Sequence, residues 1–99
     1  MSQAAIEAIR KLALSDETIE TSGFCDAAVA KMILAARSVD PNVKIFVLEH
    51  PNPVGAIHHK ALLIEDTVVN LSATGLYPRF IGPLETAPVT FRNMVKINI

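Results

Sequence analysis

His59-Lys60-Ala61-Leu62-Leu63-Ile64-Glu65-Asp66-Thr67-Val68-Val69-Asn70 decides how this chain folds. Two apolar runs flank an acidic pair, which is the layout of a β-hairpin. With Glu65-Asp66 as a two-residue turn, Ile64 pairs with Thr67, Ala61 with Asn70 and His59 with Ser72. Residues 59 and 61 point the same way, so His59 and Asn70 become diagonal neighbours on one face, about 7–8 Å apart at the backbone. His58 then points to the other face. A three-residue turn would instead bring His58 onto the face of Asn70. The shorter turn is the commoner one, although Glu-Asp lacks the glycine that such turns favour.

Working outward, Val43 to Leu48 and Ile57 to Ile64 read as strands, separated by a loop rich in proline and glycine. Thr67 to Ala73 is the third strand. Gly75 to Pro88 reads as a long irregular loop, pinned by Phe80, Ile81 and Leu84. Val89 to Asn98 alternates cleanly, with Val89, Phe91, Val95 and Ile97 on one face and Asn93 as the exception, and is expected to be a terminal strand. Upstream, residues 3–14 carry apolar side chains at helical spacing, with Ser2 as a cap and Glu7–Lys11 as a favourable pair. Residues 24–38 form a helix that is apolar on nearly every side, hence buried, and its alanines let a sheet approach closely. The expected architecture is α+β: one domain over residues 1–99, with an antiparallel sheet of about four strands (43–48, 57–64, 67–73 and 89–98) on a buried central helix.

Composition narrows the function. Hydrophobic residues make up 51% of the 99, while the aromatics are four phenylalanines and one tyrosine, so aliphatic side chains and alanine must build the core. Net charge is −1 and no basic run occurs, which argues against nucleic acid as a partner. No apolar stretch is long enough to span a bilayer, and the first residues lack a signal-peptide layout. A cytoplasmic protein, or a piece of a larger exported effector, is expected. The single cysteine, Cys25, forms no internal disulfide.

Cys25 stands where a polar, turn-prone stretch enters the buried helix. Unpaired N–H groups and the peptide dipole favour negative charge at such a position, and so favour a thiolate. Nucleophile, base and orienting amide then occur in the order Cys25, His59, Asn70. The Cys25 N–H is a ready oxyanion donor, with Thr21 or Ser22 as candidates for a second. His50 reads as a loop residue that could line an entrance, and Asp26 as an acidic complement to the helix dipole. A zinc site using Cys25 with His50, His58 or His59 lacks any CxxC or HExxH spacing, so neither metal nor cofactor is expected.

A glycine-x-cysteine entering a buried helix, then a histidine opening a hairpin, then Asn in the next strand, resembles the papain-like cysteine hydrolase superfamily. The likeness runs from Ser22 to about Gly75 and is most similar to small papain-fold toxin domains of bacterial effectors. It implies a papain-like core, Cys25 as nucleophile, His59 as base, Asn70 as orienter, and a protein or peptide substrate. For a toxin it also implies a cognate inhibitor. Larger peptidases often carry a glutamine several residues before the cysteine, whereas the one glutamine here is Gln3. The chain is also too short for a two-lobed cleft. The implied activities are therefore deamidase, amidase, transferase or selective peptidase. The alternative is a non-catalytic binding or assembly module whose terminal strand pairs with a partner or a second copy.

Overall fold

The structure, a computed structural model, describes residues 3–21, 24–51 and 58–99. Ser2 as a helix cap, Ser22 as an oxyanion donor and Ile57 as a strand start lie outside the described residues. Helices α1 (Gln3–Ser15) and α2 (Cys25–Val39) are joined through a 3-10 turn at Glu17–Ile19. Asp16 caps that turn: its carboxylate accepts from the Thr18 N–H and pairs with Lys31 of α2 at 2.6 Å. Strands β1 (Ile45–Glu49), β2 (Lys60–Ile64) and β3 (Thr67–Asn70) follow. Then come β4 (Phe80–Pro83), a single turn of helix α3 (Val89–Arg92) and β5 (Val95–Asn98). All five strands pair antiparallel, in the order β4-β3-β2-β1-β5.

The hairpin has the expected register: Ile64 opposes Thr67 and Leu62 opposes Val69. Its cost shows at Glu65, which takes a φ of 55° where glycine would be unstrained.

Strand alternation gives the sheet two buried faces. Ile45, Val47, Leu62, Ile64 and Val69 pack with Ile6, Ile9, Ile19, Ala28, Met32 and Ala36 of the helical layer. Ala28 and Ala36 are almost fully buried, so the small side chains on α2 do admit the sheet. The helix is buried along one stripe, however, rather than on nearly every side as expected, and Leu34 and Val39 face outward. Leu48, Ala61, Leu63 and Val68 face the other way, against Tyr77, Ala87, Phe91 and Met94. An antiparallel sheet covered on both sides accounts for the nearly continuous apolar runs in β2 and β3.

Two further sequence expectations are corrected. The sheet has five strands rather than about four, because Phe80–Pro83, expected to lie in an irregular loop, pairs along β3 from Asn70↔Phe80 to Thr67↔Pro83. Its proline and glycine disguised it. Pro83 is tolerated because β4 is an edge strand, and a Cβ on Gly82 would meet the Phe80 ring at 2.9 Å. The expected strand over 89–98 is instead a helical turn followed by the shorter β5. Pro88 presets the backbone at the start of that turn, and Asn93, the odd residue in the alternation, is its C-cap. Phe91 and Met94, three residues apart, are the pair that enters the core. Strand β5 itself is exposed along its length and pairs only with β1 among the described residues.

Candidate active site

Alternation sorts the two histidines to different sides of the sheet. Lys60, Leu62 and Ile64 share one parity, that of the α2 side, and His58 shares it. Both His58 and Lys60 reach Asp26 in the first turn of α2: His58 Nε2 lies 3.4 Å from Oδ2, and Lys60 Nζ lies 2.9 Å from Oδ1. His59 has the parity of Ala61 and stacks on Tyr77, with ring centroids 4.8 Å apart and planes 13° apart.

The predicted partnership of His59 and Asn70 is present. His59 Nε2 and Asn70 Oδ1 are 2.8 Å apart, and the two residues are 3% and 1% exposed. The Asn70 amide nitrogen donates to the Tyr77 carbonyl at 3.2 Å and to the Pro78 carbonyl at 2.9 Å. Those two carbonyls can only accept, so they fix which end of the amide faces the ring. The end facing His59 is an oxygen, which requires a proton on Nε2. The lone pair therefore sits on Nδ1. Burial pushes the His59 imidazole below its ordinary value of 6.5; the Asn70 bond opposes this shift, and the charge on His58 adds to it. The ring is consequently held neutral, in one tautomer, with one basic nitrogen.

Tyr77 is the residue that sequence reasoning missed. Besides stacking on His59 and supplying a carbonyl to Asn70, its hydroxyl lies 2.6 Å from His50 Nδ1. Burial raises the phenol above its ordinary value, which keeps the hydroxyl proton in place. The Tyr77 backbone is held in turn by Thr74, whose N–H donates to the Tyr77 carbonyl and whose hydroxyl accepts from the Tyr77 N–H. The available signal was that this is the only tyrosine, set in a Tyr-Pro step. His50, read as a loop residue, follows β1 directly and extends the sheet: its N–H donates to the His59 carbonyl at 3.1 Å.

Cys25 is the first residue of α2 and is 6% exposed. Its helix is capped by Phe24, which offers no side-chain acceptor. Among the described residues, the first-turn N–H groups, that of Cys25 included, thus have no capping side chain. The Cys25 Sγ, a carboxylate oxygen of Asp26 and a ring nitrogen of His58 all lie within 4.8 Å of one another. The structure therefore assembles two groups at this end of the sheet: His59–Asn70–Tyr77 and Cys25–Asp26–His58. Asp26 does more than complement the dipole, because the Lys60 ammonium holds its carboxyl below the usual carboxylate range and is itself raised by that partner. The Thr21 hydroxyl donates to the Glu17 carbonyl at 2.7 Å, so it is engaged in its own turn.

No protein-family model, curated protein or solved structure matches this chain. Among the described residues, no helix is long and apolar enough to cross a membrane.

Proposed function

We propose that the protein is a papain-like cysteine hydrolase that cleaves or deamidates an amide of a protein or peptide, with Cys25 as nucleophile, His59 as base and Asn70 as orienter. The observation that carries this reading is the Asn70 amide, locked by two carbonyls so that its oxygen commits His59 to the Nε2–H tautomer. A buried asparagine spent on aiming one ring is what a nucleophile–base–orienter arrangement requires.

In this mechanism the Cys25 sulfur attacks the amide carbon while Nδ1 of His59 takes the thiol proton. Because burial disfavours a resting imidazolium, the proton moves as the S–C bond forms. The carbonyl oxygen becomes an oxyanion at the start of α2, where the N–H groups lack a capping side chain among the described residues. Collapse breaks the C–N bond, and the imidazolium returns its proton to the departing amine or ammonia. Water, deprotonated by the same nitrogen, then splits the thioester to a carboxylate and restores the thiol. Attack requires Sγ and Nδ1 to come within about 3–4 Å in the substrate complex. As a toxin or effector domain, the protein would act on a host or competitor protein and be held by a cognate inhibitor.

The test is to incubate the protein, with a chelator present, with a proteome-derived peptide mixture. New termini and deamidated side chains are then read by mass spectrometry. The wild type is expected to produce them, and Cys25→Ala and His59→Ala to be silent. Products that persist in Cys25→Ala overturn the reading. Loss in His58→Ala with retention in His59→Ala would move the base to the other ring and break the triad. Iodoacetamide labelling of Cys25 gives a readout that needs no substrate: at pH 6 it should outpace a free thiol and slow in His59→Ala.

The runner-up, a binding or assembly module, draws on the exposed edge strand β5. A Cys25→Ala variant with its full biological effect would favour it.

A further inference from the structure

We propose that Cys25, Asp26 and His58 form a binding site for a zinc ion. Their donor atoms, one sulfur, one oxygen and one nitrogen, already lie within 4.8 Å of one another. The His58 Nε2–Asp26 Oδ2 separation is 3.4 Å. Two ligands bound tetrahedrally to zinc, each at about 2.0–2.1 Å, sit about 3.3 Å apart. One edge of the coordination shell is thus preformed. The edges to sulfur, at most 4.8 Å here, would measure about 3.6 Å around a bound ion, given a Zn–S bond of about 2.3 Å.

The donor set selects the ion. Calcium and magnesium take oxygen ligands, whereas a thiolate with an imidazole and a carboxylate suits a borderline-soft ion such as zinc. Three protein ligands leave the fourth position for water. Asp26 and His58 are partly open to solvent, so the ion has an entry path that the buried sulfur alone would not offer. Lys60 contributes in two opposing ways. Bound to Oδ1, it aims Oδ2 at the site, as outer partners of metal ligands do. Its charge also opposes the ion. Binding releases one proton: the thiol and Zn2+ give a zinc thiolate and H+. The ligands come from adjacent residues on a helix and from a third 32 positions beyond Asp26, so no short motif records them.

The site bears on chemistry only through the hydrolase reading, on which one consequence rests: an ion on the Cys25 sulfur blocks the nucleophile reversibly. The binding itself needs no catalysis and is tested without it. Metal-free protein is titrated with Co2+ as the spectroscopic probe, and the bound cobalt is then displaced with Zn2+. One equivalent should produce a thiolate-to-cobalt charge-transfer band and the visible bands of a tetrahedral ion. Cys25→Ser should abolish the charge-transfer band. His58→Gln, at a partly exposed position that should still fold, should weaken binding at least about tenfold. A protein that shows no charge-transfer band at millimolar cobalt, or a His58→Gln variant with wild-type affinity, overturns the proposal. Neither result touches the triad, whose failure is read by peptide products in the presence of a chelator.

Discussion

The two sides of the sheet end handle polar groups in opposite ways. On the Tyr77 side, His59 and Asn70 are buried, and the amide uses both ends: its oxygen on the ring and its nitrogen on two carbonyls. On the α2 side, Asp26 serves Lys60 and His58 in a cluster whose carboxylate is 64% exposed. Water can replace the partners of an exposed ion pair at little cost, but it cannot reach a buried amide without disrupting the packing around it. The first arrangement is therefore a rigid aiming device. The second is a cheap, adjustable one, able to exchange partners or admit an ion.

The sharpest way to break this contrast is Asn70→Ala. It strands the His59 N–H in the interior and takes the donor from the part-buried Pro78 carbonyl, while the Tyr77 carbonyl keeps the Thr74 N–H, at about 1–3 kcal/mol for each unsatisfied group. A total loss of about 2 kcal/mol or more in urea unfolding is expected. A loss under about 1 kcal/mol would show that water enters and that the two sides are alike.

The next effect is on pH dependence. The folded value of His59 lies below its ordinary 6.5, so the unfolded chain takes up the proton first. The stability attached to this group is whole above 6.5 and is lost as pH falls from there through the folded value. Unfolding midpoints of the metal-free protein between pH 7.5 and 5 should decline, and the decline should flatten in His59→Gln. An imidazole signal for residue 59 that titrates above 6.5 would contradict the burial argument.

Tyr77→Phe keeps the stack on His59 and removes only the hydroxyl bond to His50. It should cost about 1 kcal/mol in thermal unfolding and leave the His59 tautomer unchanged by NMR. The smallest effect is expected on the open side. Asp26→Asn should cost less than about 1 kcal/mol, and the difference from wild type should shrink further in high salt. A larger, salt-insensitive loss would mean that Asp26 is structural.

Much of this was legible before any coordinates. The hairpin register followed from its turn and its two apolar runs, and the register alone put His59 beside Asn70. The helix followed from its composition, but its burial did not: only Cys25, Ala28, Val29, Met32 and Ala36 are buried, while Leu34 is 73% exposed. Strand β4 was hidden because proline and glycine normally argue against strands, and only its place at an edge makes them acceptable. The turn at Val89–Arg92 was hidden because over a few residues an alternating pattern and a helical one share apolar positions. Tyr77 was missed because its role lies in what it touches: a ring 18 positions upstream and a histidine 27 positions upstream.

Local patterning thus determined the α+β class, the central hairpin and the pairing of His59 with Asn70, because side-chain period and turn chemistry act between near neighbours. Tertiary structure alone decided that Tyr77 stacks on His59 and that Asp26 and Cys25 lie beside His58. Residues 58 and 59 are neighbours in sequence, but they leave the strand toward opposite faces, and what awaits them there is set by segments far away along the chain.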